Sequence, residues 1–173
     1  MKKIIKITVI VLAIIYLVIA PITIAVIHGM VMSKCSYDEY KSEVYLVYDD
    51  VAADYPRERI QVASGENNLS VYLYGKDNKK GLIVVSPGHR DANDVKFYEI
   101  TYFVDAGYQV ICFDYTGCYT SEGNTFGKYT QAVYDLDAVL TYCDNNEAFS
   151  SMPIFLFGHS LGGYATGAVL NYE

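Results

Sequence analysis

The chain has 173 residues, of which 13 are basic and 20 acidic, for a net charge of −7, and it carries 18 tyrosines but no tryptophan. The acidic balance, a pI near 4.9 and the lack of any basic run beyond the extreme N-terminus argue against nucleic acid as a partner. Its four cysteines form no C-x-x-C pair and have no histidines at zinc-like spacing, so neither a metal nor a cofactor is expected.

Met1-Lys2-Lys3-Ile4-Ile5-Lys6 is basic, and no charged residue then appears from Ile7 to Ile27. A helix over that stretch rises about 31 Å, the thickness of a bilayer's hydrocarbon core. Residues 1–30 are therefore expected to form an uncleaved membrane anchor, in which Pro21 is tolerated. A cleaved signal peptide is the competing reading, but the apolar run is long for one and no small-x-small cleavage pattern is convincing. Lys2, Lys3 and Lys6 would hold the N-terminus in the cytoplasm, giving a single-pass protein of the cell membrane with the rest of the chain outside.

Residues 31–58 read as a juxtamembrane segment. Ser36-Tyr37-Asp38-Glu39 has the form of a capping box, and Tyr40, Val44, Tyr48 and Val51 follow at helical spacing, which predicts a short helix ending before Pro56. From Arg59 the period changes, and residues 59–173 are expected to form the folded domain. Ile60 to Ala63 and Leu69 to Tyr74 read as the strands of a hairpin joined across the turn-rich residues 64–68. Leu82-Ile83-Val84-Val85 is a continuous apolar run suited to a strand covered on both faces. Val95 to Ala106 reads as a helix stopped by Gly107, Gln109 to Tyr115 as a strand, and Thr130 to Cys143 as a helix with Val133, Leu136, Val139, Leu140 and Cys143 on one face. A hairpin followed by strands alternating with helices implies an α/β fold with a mostly parallel sheet and flanking helices. The loops at 86–91 and 116–128 both follow strands and should converge on the sheet's carboxyl edge, where such folds place their sites.

The last strand, Ile154 to Phe157, runs into Gly158-His159-Ser160-Leu161-Gly162-Gly163 and then into small residues suited to a closely packed helix. G-x-S-x-G between a buried strand and a helix is the context of a nucleophile elbow. Gly158 and Gly162 leave room for a sharp turn, Ser160 is strained and exposed, and the helix that follows directs free N–H groups toward an anion formed at that point. The bland alternative is a glycine-rich turn whose serine caps the helix.

Three motifs carry a resemblance to the α/β-hydrolase superfamily, and within it to the serine aminopeptidase-like and monoacylglycerol-lipase-like hydrolases. They are the elbow at 158–163, Ser86-Pro87-Gly88-His89-Arg90-Asp91, and Phe113-Asp114-Tyr115-Thr116-Gly117-Cys118-Tyr119-Thr120-Ser121-Glu122-Gly123. The last resembles the family's F-D-x-x-G-x-G-x-S-x-G segment, with Tyr119 where the family usually has a second glycine. The resemblance covers roughly Arg59 to the C-terminus. It implies that Ser160 is the nucleophile, attacking the acyl carbon of a small-molecule or peptide ester or amide. It further implies an oxyanion hole made by the backbone N–H of Leu161 and a second N–H after Gly88, that of His89, although Pro87-Gly88 stands where family members usually show His-Gly.

A serine hydroxyl needs a base oriented by a third group. In this superfamily the acid and then the histidine follow the serine along the chain, yet the thirteen residues after Ser160 contain no histidine. Of the three histidines, His28 lies at the membrane boundary, His159 is expected to pack away from the neighbouring hydroxyl, and His89 as a base would depart from the family. Asp114 and Glu122 are expected to organise the loop at 116–128. The simplest expectation is a C-terminally truncated hydrolase, whose acid, base and final strands lie beyond residue 173. The alternatives are a catalytically inactive, membrane-tethered domain with a binding or structural role, and an acyltransferase on the same fold. Cys112 and Cys143 read as small buried hydrophobes. Outside the cytoplasm Cys35 or Cys118 could enter a disulfide, but the sequence does not name the pair.

Overall fold

The computed structural model describes residues 2–36, 46 and 48–171, and it divides into two units, Met1–Ser33 and Lys34–Glu173. The first is a single helix, α1 (Lys2–Val31), 30 residues long with Pro21 inside it and no buried residue. By length and composition α1 can cross a membrane, a property it shares with signal sequences. Most of the expected juxtamembrane helix, residues 37–45 and 47, lies outside the described residues. Its described end is one short helix, α2 (Tyr48–Val51), closed by the N–H groups of Asp54 and Tyr55 on the Val51 carbonyl just before Pro56.

The second unit is built on a five-stranded sheet. β1 (Arg57–Ser64) and β2 (Asn67–Tyr74) form an antiparallel hairpin. The connection is tighter than the composition of residues 64–68 predicts, because Gly65 takes φ 58 and only Gly65 and Glu66 lie outside the strands. β3 (Leu82–Ser86), β4 (Gln109–Phe113) and β5 (Ile154–Gly158) are mutually parallel, and the order across the sheet is β1-β2-β4-β3-β5. β2 joins this parallel set antiparallel to β4. The fold is the expected α/β type with a mostly parallel sheet.

Burial follows position in the sheet. Every residue of β3 and β4 is buried, as continuous apolar runs in central strands require. β5 has similar composition but is only half-buried, with Phe155 47% exposed, because it is the outermost strand and its far edge pairs with no strand among the described residues.

The helices divide between the two faces. A 3₁₀ turn (Asn93–Lys96) leads into α3 (Phe97–Asp105), whose Phe97 and Ile100 pack against Tyr72, Tyr74, Ile83, Val85, Val110 and Cys112. α4 (Tyr129–Asp144) and α5 (Leu161–Val169) pack on each other, α4 also against β1 and α5 against β3. Ser64, opposite Asn67 on the face that carries Leu69 and Val71, donates to Asp135 of α4 at 2.7 Å, which places α4 on the face away from Tyr72. Asp135 is the one acid on the buried stripe of α4. It also accepts from the Thr116 N–H (2.8 Å), the Thr116 hydroxyl (2.9 Å) and Gln131 (2.9 Å), so it anchors the helix to both the hairpin and the loop after β4. Cys112 and Cys143 are both fully buried, as small hydrophobes should be.

Candidate active site

β5 delivers the chain to Ser160, and α5 leaves from it. Ser160 is exposed and takes φ 52, ψ −115, a backbone that an L-residue holds only when its surroundings enforce it. Close approach is what enforces it here. A β-carbon on Gly158 would lie 2.3 Å from the Gly162 carbonyl oxygen, and one on Gly162 would lie 2.0 Å from the Ser86 carbonyl oxygen. The first turn of α5 is thus pressed against the end of β3, and any side chain at either glycine would push the two backbones apart. Leu161 is the first helical residue, so its N–H stands outside the i→i−4 ladder, on the positive end of the helix. The exposed hydroxyl and that N–H therefore sit side by side at one point.

The loop after β3 lies against the same turn. The His159 N–H donates to the Ser86 carbonyl at 3.3 Å, and the space a β-carbon on Gly88 would fill is 3.2 Å from His159 Nδ1. The loop is tied down from β4, where the Tyr115 hydroxyl lies 2.7 Å from Ser86 Oγ and donates to the Pro87 carbonyl at 3.1 Å. Burial pushes the Tyr115 phenol above its ordinary value, so it remains a donor. His89 follows with its ring edge-on to Phe126 (4.9 Å) and Tyr129 (5.6 Å), which joins the loop at 86–91 to the loop at 116–128 and the start of α4. The three strand-end segments do converge on one edge.

His159 corrects one expectation. Its side chain does not pack; it is 56% exposed, with Nδ1 3.6 Å from Asp91 Oδ2, and Lys96 Nζ lies 4.0 Å from the same oxygen. The ring instead projects from the turn toward a carboxylate of the loop after β3. His28 belongs to α1, in the first unit.

Asp114 and Glu122 organise the loop as expected. Asp114 is fully buried and accepts from the Asn93 N–H (2.9 Å) and amide (2.8 Å) on one oxygen, and from the Thr120 N–H (3.2 Å) and hydroxyl (2.7 Å) on the other. Burial outweighs these four donors and raises its pKa. Glu122 accepts from the Asn68 N–H (2.9 Å) and side-chain amide (3.1 Å), binding the loop to the hairpin. The sequence reading did not single out Asn93, Tyr115 and Asp135. Only Asp135 left a local signal, as an acid on an otherwise apolar helical stripe. Among the described residues no three His, Cys, Asp or Glu side chains gather as metal ligands.

An exposed serine on a strained strand-to-helix turn, at the carboxyl edge of a mostly parallel sheet, defines a protein of the α/β-hydrolase superfamily. The family described as serine aminopeptidase, S33, matches residues 77–172, more than half of the chain, and the chain belongs to that hydrolase family. Solved structures agree on the fold. An esterase from Pyrococcus furiosus superposes with a TM-score of 0.65 at 18% identity, covering 82% of this chain and 53% of its own. An α/β-hydrolase from Penicillium sp. sh18 gives 0.60 at 21% identity, over 68% of this chain and 42% of its own. Est1E from Butyrivibrio proteoclasticus, determined with ferulic acid bound, gives 0.57 at 20% identity, over 64% and 46%. These 173 residues thus span about half the length of the Pyrococcus esterase. No match was found among curated proteins.

Proposed function

We propose that the protein is a membrane-anchored serine hydrolase in which Ser160 attacks the acyl carbon of an ester or amide. The observation that carries this reading is the forced backbone of Ser160 beside the first N–H of α5. A base removes the Ser160 proton as Oγ bonds to the carbonyl carbon. The oxyanion that forms is met by the N–H of Leu161 and, from the loop after β3, the N–H of His89. Each such donor is worth about a hundred- to thousand-fold in rate, because it meets charge that exists only in the transition state. The proton passes to the departing alcohol or amine, leaving an acyl-enzyme that water then hydrolyses. In this reading the base and its orienting acid follow Ser160 along the chain, the order of this superfamily. The 30-residue apolar helix with Lys2, Lys3 and Lys6 at its start supports a single-pass anchor with the N-terminus in the cytoplasm and the hydrolase unit outside. Substrates are small-molecule or peptide acyl compounds.

Fluorophosphonate labelling of the protein in its native membrane tests this, with mass spectrometry of the modified peptide. Labelling at Ser160 that disappears in Ser160→Ala supports the reading. Labelling elsewhere, or none, overturns it and favours a binding role. The isolated 173-residue chain is expected to stay unlabelled; reaction at Ser160 there would place the base within these residues.

A further inference from the structure

Cys35 and Cys118 lie 83 residues apart in sequence, yet their sulfurs are 2.8 Å apart. Backbone pairing enforces the approach. The Cys35 N–H donates to the Gly117 carbonyl and the Tyr119 N–H to the Cys35 carbonyl, each at 3.0 Å, so the two cysteines face each other across an isolated parallel β-bridge. Paired strands run about 4.8 Å apart, inside the Cα window of about 4.4–6.8 Å that a disulfide spans. Both residues are almost completely buried, and no S–S bond joins them in this structure. Cys112 and Cys143 lie elsewhere, the one mid-strand in β4 and the other near the end of α4.

We propose that Cys35 and Cys118 form a structural disulfide that fastens the segment after α1 to the loop following β4. The sulfurs need approach by less than about 1 Å to reach bonding distance. The oxidant is a disulfide of low molecular weight or of an exchange protein. The Cys35 and Cys118 thiols give up two protons and two electrons, one S–S bond forms, and the oxidant's disulfide is reduced to two thiols. In the cell this rests on the outward placement of the hydrolase unit proposed above, since thiols stay reduced in the cytoplasm. The bridge would lie next to Tyr119 and three residues from Ser121, within the loop that borders the candidate site. It would add a covalent bond between that loop and the segment after α1, beside the two backbone hydrogen bonds described above. Closing so long a loop chiefly restricts the unfolded chain.

The test uses the full chain purified in detergent and equilibrated in a buffer of reduced and oxidised glutathione. Free thiols are then alkylated and the protein is digested without reductant. A peptide pair crosslinked through Cys35 and Cys118, with Cys112 and Cys143 alkylated, is the expected result. Alkylation of Cys35 and Cys118, or crosslinking to Cys112, Cys143 or a second chain, overturns the proposal. A reductant should lower the melting midpoint of the oxidised protein by roughly 5–15 °C. It should leave the Cys35→Ser/Cys118→Ser variant unmoved; an equal drop in that variant would assign the effect elsewhere and count against the bridge. Protease accessibility of the hydrolase unit on intact cells reports its orientation separately, so failure of the topology and failure of the pairing are distinguishable.

Discussion

Gly162 lies so close beneath the end of β3 that a β-carbon on it would stand 2.0 Å from the carbonyl oxygen of Ser86. Neither backbone can yield without displacing the turn that carries Ser160. Gly162→Ala is therefore expected to destabilise the fold by at least ~3 kcal/mol, the upper end of overpacking costs. Gly167, in the same helix, has nothing within 4 Å of its β-position, and Gly167→Ala should be neutral or stabilising by up to ~1 kcal/mol through helix propensity. Urea denaturation of the two variants checks the contrast; equal effects would show that α5 is not clamped at its first turn.

Arg57 joins the hairpin to the network that holds the site's loops. Its guanidinium lies between the rings of Tyr48 (3.7 Å) and Tyr72 (4.2 Å), and it donates to Tyr74 Oη (2.9 Å) and to Asn93 Oδ1 (3.1 Å), the residue whose amide reaches Asp114. A lysine keeps the charge but not a planar fork able to stack on both rings while donating twice. Arg57→Lys should cost about 1–2 kcal/mol. A variant with an unchanged urea midpoint would show that charge alone suffices at this position.

Tyr119 occupies a left-handed backbone, φ 46, at the position where the resembling family usually has glycine. Its hydroxyl donates to the Arg90 carbonyl and its N–H to the Cys35 carbonyl, and these bonds offset a strain of about 1–2 kcal/mol. Tyr119→Phe should lose about 1 kcal/mol. Tyr98→Phe, whose ring is 66% exposed, should lose nothing measurable.

Asp135 is fully buried, and desolvation raises its carboxyl pKa despite its donors. The sign follows from linkage. A raised folded value means that the native state holds its proton more tightly than the unfolded state. The stabilisation is complete below the ordinary value of 3.8 and is lost as pH rises through the raised folded value. Above that value the curve is flat with respect to this group. Thermal melts of wild type and Asp135→Asn across that window should show wild type losing stability with rising pH relative to the variant. A constant difference between them would show that the pKa is not raised.

The elements were legible because their signals are local. The apolar runs of β3 and β4, the stop at Gly107 and the stripe of Leu136, Val139 and Cys143 each lie within one strand or helix, and each element formed within a few residues of its expected bounds. The strand-turn-helix at Gly158-His159-Ser160-Leu161-Gly162 was legible for the same reason, since its glycines answer to a steric need that short-range sequence expresses. His159 was misjudged because its partner, Asp91, lies far earlier in the chain on a different loop.

Sequence by itself thus determined the fold class, the order of elements, a helix able to cross a membrane and the serine at the sharp turn, all consequences of periodicity and backbone sterics over a few residues. Tertiary structure alone decided that β5 lies outside β3, that Asp135 gathers donors from the hairpin and the loop after β4, and that Cys35 faces Cys118. Those facts depend on which distant segments share a sheet edge or a bridge, and chain pairing over such separations is set by how the whole apolar surface is buried together.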